Sequence, residues 1–212
     1  MKFPHNLKKR VTMTTIGVIF CAIAVGFFKC AQFGVDPFQC FAQGVWGHFF
    51  DEKLSYGTYY MLLSGVMLIV DLFFARKYMG LVTFINMFLT GYIVDITCVM
   101  INYFFPSPVL SVRIVFLLIA VLVMCFSSSL YMTSNMGVSV YDAIPLVITD
   151  KSKAPFRFIR VGCDLICVII GTLSGLMPGM GTIITAFFMG PLIEFFNHNF
   201  SEPLLFGKKE KY

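Results

Sequence analysis

Charge is scarce in this chain. Only 13% of its 212 residues are Asp, Glu, Lys or Arg, against 58% hydrophobic, too little polar surface to cover a water-soluble globule of this length, so the chain is an integral membrane protein. Chemistry-bearing groups are scarce too. The three histidines, His5, His48 and His198, lie at or beyond the ends of the apolar runs, and no pair has metal-ligand spacing. There is no phosphate loop and no dinucleotide fingerprint. Ser174 sits among small residues in GTLSG but has no histidine at membrane depth to act as its base. Cysteine is not scarce, but seven is an odd number and six of the seven lie inside apolar runs, which is no secreted disulfide framework. Cys163 and Cys167 share a helix face, where thiols are ordinarily inert packing. These absences lead us to expect no enzyme, no cofactor and no metal. The 16 Lys and Arg exceed the 11 Asp and Glu in short clusters rather than along one face, which argues against a nucleic-acid partner.

What is present is a succession of long apolar runs. About 20 apolar residues cross a bilayer as a helix. By that ruler the spans are Val11–Ala31, Gly57–Ala75, Gly80–Phe104, Val109–Tyr131, Phe156–Met177 and Thr182–Asn197. The basic start followed by the first run has the pattern of a signal peptide, but the run is as long as a span and no small-x-small cleavage site follows, so an uncleaved helix is expected. Two shorter stretches, VDPFQCFAQGVWGHFF and SVYDAIPLVIT, follow the first and fourth spans. They are too short to cross and are expected to be interfacial or re-entrant.

The chain repeats itself. GLVTFINMFLTGYIVD, Gly80 to Asp95, matches GMGTIITAFFMGPLIE, Gly179 to Glu194, at Gly80/Gly179, Thr83/Thr182, Ile85/Ile184, Phe88/Phe187 and Gly91/Gly190, 99 positions apart, and both end on a carboxylate. FGVDPFQ at Phe33 lines up with MGVSVYD at Met136, 103 positions apart, while the first spans of the two halves match poorly. Each half reads as span, short helix, span, span, giving halves of 1–106 and 107–212 within one membrane domain. Three spans per half is odd, so the second half enters from the opposite side, an inverted repeat. With the N-terminus inside, the inner side receives Lys2, Lys8, Lys9, Arg10, Arg76, Lys77, Lys151, Lys153, Arg157, Arg160, Lys208, Lys209 and Lys211, and the outer side Lys29, Lys53 and Arg113. Thirteen against three places both termini in the cytoplasm.

Two glycine-led short helices, each ahead of a pair of spans, with GMGTIITAFFMGPLIE near the end of the chain, resemble the YczE/YyaS/YitT group of bacterial integral membrane proteins. The resemblance covers nearly the whole chain. It implies a place in a bacterial cytoplasmic membrane and implies no reaction, substrate or binding residue.

The candidate site residues come from the repeat. Asp36, Pro37 and Gln39 make a helix start, with an N-cap acid, proline at the first position and a side chain that can reach back, and Ser139 and Asp142 repeat the arrangement. Either these cap two surface helices, or the capped starts point inward from opposite faces and bind a solute with Gln43 and Tyr141 nearby, as broken helices do in inverted-repeat transporters. Asp36 and Asp142 would compete there with an anion. Gly91 and Gly190 fall near mid-membrane and are expected to serve close helix packing. Asp95 and Glu194, at matching depths from opposite faces, are candidates for proton coupling, with an Asp95–Lys29 pair as the structural alternative. Arg160 and Asp164, four apart, read as a structural pair. The expected function is a secondary transporter of a small polar solute by alternating access, the alternative a membrane interaction or regulatory protein. No readable motif encodes the solute, direction, coupling ion or oligomeric state.

Overall fold

A computed structural model describes residues 7–50, 53–54, 56–152 and 154–206, with backbone alone for 56–57, 81–82 and 84–91. Lys2, Lys153 and the lysines beyond 206 therefore lie outside the described residues, and Gly91 is described by its backbone alone. The chain is helical, and no strand occurs among the described residues. In order the elements are α1 (Leu7–Ala31), α2 (Pro37–Phe49), α3 (Tyr56–Phe74), a 3-10 turn (Arg76–Tyr78), α4 (Leu81–Phe104), α5 (Leu110–Ser134), α6 (Val140–Ser152), α7 (Phe156–Leu173), α8 (Met180–Phe196), a π turn (Asn197–Ser201) and α9 (Glu202–Phe206). Each expected span finds a helix, and the two short stretches become α2 and α6. The expected end of the fifth span at Met177 is corrected to Leu173. The Ser174 N–H caps the Ile170 carbonyl and Gly175 turns left-handed at φ 96°, a conformation that favours glycine and stops the helix.

Among the described residues three helices are long and apolar enough to cross a membrane: Leu7–Ala31, Leu110–Ser134 and the continuous run Met180–Phe206. Thr58–Phe74 and Tyr92–Phe104 are shorter apolar helices, and α7 is interrupted by Arg157, Arg160 and Asp164. The outward faces are apolar: Met61, Val66 and Phe73 of α3, Val99 and Tyr103 of α4, Leu118 and Leu122 of α5 are all exposed. A hydrocarbon solvent rewards such a surface and water penalises it.

At the centre α1 packs along α5. Small residues permit the approach: Ala24, Ala31 and Ala120 are fully buried, and a Cβ at Gly17 would lie 3.0 Å from the Ser127 carbonyl oxygen. Phe28, Met124, Cys125, Met189 and Ile193 fill the remaining core between α1, α5 and α8. The two helices run antiparallel. Arg10, early in α1, donates to the Ser134 carbonyl at the end of α5 (2.7 Å), and Arg113, early in α5, donates to the Ala31 and Gln32 carbonyls at the end of α1 (2.9 Å each). Each guanidinium satisfies carbonyls that the last helical turn leaves without partners. Arg10 and Arg113 are 103 positions apart, as are Ala31 and Ser134, so the first helices of the halves correspond in structure despite their weak likeness in sequence. Within the halves α1 also packs on α4, and α7 on α8, while α2 lies against α7 and α6 against α3 across them.

Candidate functional site

The loops after α1 and α5 fold alike because their residues impose the same backbone. Gln32 and Asn135 are left-handed at φ 54° and 53°, and two residues on Gly34 and Gly137 follow at φ 108° and 125°, a region glycine enters without strain. Each loop is held by the other half's copy of the long motif. The Thr182 hydroxyl donates to the Val35 carbonyl, and the Thr83 hydroxyl to the Val138 carbonyl. A Cβ on Gly179 would fall 2.0 Å from the Phe33 carbonyl oxygen, and one on Gly80 would fall 2.1 Å from that of Met136. The repeated GxxT therefore has a physical purpose. Glycine lets the loop of the opposite half seat on the start of α4 or α8, and threonine bonds it there.

These loops deliver the starts of α2 and α6 to the same place. The Asp36 Oδ1 accepts from the Gln39 N–H (3.1 Å), and the Ser139 hydroxyl oxygen accepts from the Asp142 N–H (3.1 Å), so both starts are capped by their own side chains. Phe38 and Tyr141, matched by the repeat, stack on each other with ring centroids 4.9 Å apart.

Beside this stack lies a cavity of about 540 Å³. Asp36, Gln39 and Gln43 come to it from α2 and the cap before it, Ser139 from the cap before α6, Tyr60 and Ser64 from α3, Lys29 and Cys21 from α1, Thr83 and Asp95 from α4. Val25, Phe28, Val94 and Val140 make apolar wall. At its rim Lys29 and Asp95 form a loose pair, Nζ to Oδ1 3.9 Å, with both side chains mostly exposed.

On the other side of the stack is a closed polar cluster. The Arg160 guanidinium, 4% exposed, lies between two buried carboxylates, bonding Asp142 through Nη1 and Asp164 through Nε (3.2 Å), and sits 4.7 Å over the Tyr141 ring. The Tyr131 hydroxyl and the Ser139 hydroxyl donate to Asp142, and the Tyr141 hydroxyl donates to Asp164. Buried charges require such partners. Arg160, counted above among the inner-side charges, lies inside the bundle, and its charge is matched by these carboxylates. It is also more than the partner of Asp164, because it fastens α7 to α6.

The six expected solute-binding residues thus divide. Asp36, Gln39, Gln43 and Ser139 line the cavity, whereas Tyr141 and Asp142 belong to the buried cluster. The two proton-coupling candidates also divide. Asp95 stands at the rim beside Lys29, while Glu194 is partly buried, 3.9 Å from the Arg157 Nε, with Oε2 out of solvent and without a hydrogen bond among the described residues. Gly190 packs against α7, where a Cβ would meet the Arg157 carbonyl oxygen at 2.7 Å. No cluster of His, Cys, Asp or Glu able to hold a metal occurs among the described residues.

Sequence reading passed over Asp71, buried at 3% exposure in α3 with Oδ2 lacking a hydrogen-bond partner among the described residues. Its signal was available, since it is the one charged residue of that apolar helix. Tyr131, Tyr60 and Ser64 were also missed. They carry no such signal, because a hydroxyl in an apolar helix is common and only the packing shows where it points.

The family model described as "Family of unknown function (DUF6198)" matches residues 8–198. The chain belongs to this family. It is similar to an uncharacterised protein of Haemophilus influenzae, 24% identical over 86% of this chain and 83% of that one. It is also similar to two Bacillus subtilis proteins, the uncharacterised membrane protein YczE (23% identical, 90% of this chain and 86% of that one) and the uncharacterised protein YyaS (24%, 85% and 89%). These likenesses and the apolar helices agree that it is a membrane protein. No solved structure matches it.

Proposed function

We propose that the protein is a secondary transporter, and not an enzyme, that moves a small polar or charged solute by alternating access. Six spans in two inverted halves, 1–106 and 107–212, would sit in a bacterial cytoplasmic membrane with both termini inside, and the cavity would then open outward. The antiparallel α1/α5 pair and the exchanged loop contacts support the inverted arrangement, because matched residues then make matched contacts.

The observation that carries the proposal is an inequality between matched positions. Cys21, Val25, Val35 and Gln39 line the cavity. Their counterparts Met124, Ser128, Val138 and Asp142 are buried. Asp95 is mostly exposed and its counterpart Glu194 mostly covered. Two like halves in unlike states are what one end of an alternating cycle requires: open beside the first half, closed beside the second by the cluster around Arg160. In the exchanged state the second half would open and the first would close.

The test is accessibility with flux. In a cysteine-free background, Gln43→Cys is expected to react with an impermeant maleimide from outside. Leu146→Cys, its counterpart, is expected to react from inside, and a transported solute would shift the two rates in opposite directions. Labelling of Lys53→Cys and Ser152→Cys from opposite sides checks the topology. Absence of flux for every solute in a broad panel, together with a membrane partner that co-purifies, would replace transport with the regulatory alternative.

A further inference from the structure

The cavity carries more information than its openness. Its described charged lining is Asp36, Asp95 and Lys29. Lys29 and Asp95 face each other at the rim, which leaves the Asp36 carboxylate as the uncompensated charge at the inner end. Behind it stands the Arg160 cluster, two carboxylates against one guanidinium. Asp36 caps the helix whose Phe38 stacks on Tyr141, and Tyr141 bonds Asp164 and lies under Arg160. The formal charge around the deep end is therefore negative: three carboxylates, one guanidinium. The two helix starts there, which in other settings attract anions, have already given N–H groups to their own caps, Gln39 to Asp36 and Asp142 to Ser139. An anion would meet a carboxylate where it needs donors. A cation would meet the Asp36 carboxylate, Gln39 and Gln43, and the aromatic side chains Phe28 and Tyr60. The rest of the wall, Val25, Val35, Val94 and Val140, is branched aliphatic and suits an apolar body rather than a hydrated metal ion.

We propose that this cavity binds a small amphipathic organic cation, its positive charge against Asp36 and its apolar body against α1 and α4. The inference rests on the transport reading for its biological purpose, giving the solute a charge and a chemical class.

Binding measured without flux separates the two. The full-length protein in detergent micelles is titrated by calorimetry with tetraphenylphosphonium, ethidium and benzyltrimethylammonium, and with tetraphenylborate as an anion of the same shape as the first. Saturable binding of at least one cation, without saturable binding of tetraphenylborate, is expected. Asp36→Asn should weaken that cation by about tenfold or more, because a near charge is lost, while asparagine caps a helix about as well as aspartate and preserves the fold. Asp95→Asn should weaken it less, since Lys29 already answers that charge. Failure of all three cations to bind, equal binding of tetraphenylborate, or an Asp36→Asn affinity matching wild type would each overturn the proposal. Cation binding with no flux in proteoliposomes would sink the transport reading and leave this one standing, and flux of an anion or neutral solute without cation binding would do the reverse.

Discussion

Phe38 and Tyr141 stack with their planes 18° from parallel, and they hold the same place in the two copies of the repeat. Two matched residues can touch in this way only where the halves meet, so the pair marks the point about which the short helices are arranged. Phe38→Ala should cost about 3 kcal/mol or more, from lost burial and from the ring contact itself. Tyr141→Phe keeps the ring and loses only the hydroxyl on Asp164, so its cost should be smaller. Thermal unfolding in micelles checks the order. Equal melting temperatures for Phe38→Ala and wild type would deny the stack its structural role.

The glycines that seat the exchanged loops should tolerate nothing larger. Gly80→Ala and Gly179→Ala each place a methyl carbon within about 2 Å of a backbone oxygen, and backbone cannot swing aside as a side chain can. Each should destabilise by about 2 kcal/mol or more. Gly47→Ala, in α2 with open space around its Cβ position, is the control and should leave the melting temperature unchanged or raise it.

In the buried cluster the two signs of charge are not equivalent. Arg160→Gln leaves Asp142 and Asp164 buried without their cation and should cost about 3–5 kcal/mol or prevent folding. Asp142→Asn leaves one carboxylate with one guanidinium, keeps a polar partner for Tyr131 and should cost distinctly less. A larger loss for Asp142→Asn, measured by the same melting assay, would mean that the cluster's net charge is not what holds it.

Asp95 and Glu194 test proton coupling. Asp95→Asn and Glu194→Gln keep shape and lose titration, and each should reach the membrane while flattening the pH dependence of flux. The exposed Asp95–Lys29 pair contributes at most about 1 kcal/mol, so a loss of flux in Asp95→Asn could not be blamed on unfolding. Lower melting temperatures with unchanged pH dependence would make both acids structural.

Outside the spans, Asp150 at the end of α6 bonds Lys77 and the Tyr78 hydroxyl. Lys77 first and Tyr78 second hold its carboxyl below the usual carboxylate range. A depressed folded-state pKa gives stability that is present above the unfolded value, about 3.9, and lost as pH falls through the lower folded value. Asp150→Asn should therefore melt slightly below wild type at pH 7, and the difference should vanish at strongly acidic pH. A difference that persists there would assign the effect to shape rather than charge.

Much of this architecture was legible in local sequence. Composition named the solvent, run length placed α1, α3, α4, α5, α7 and α8, and the Asp36 and Ser139 caps marked where α2 and α6 begin, because helix formation and capping depend on neighbours within about four residues. The match of Gly80–Thr83 with Gly179–Thr182 was visible as well, but not its purpose. Thr83 bonds a carbonyl 55 residues away and Thr182 one 147 away, and no local rule names such a partner. The likeness of Arg10 and Arg113 was hidden for the same reason, since each caps the helix of the opposite half. Above all, the sequence presents two like halves, and only tertiary packing made them unlike. The cavity is lined mostly by the first half, while the second closes on Arg160, which holds Asp142 and Asp164 buried because a buried guanidinium is tolerable only among carboxylates.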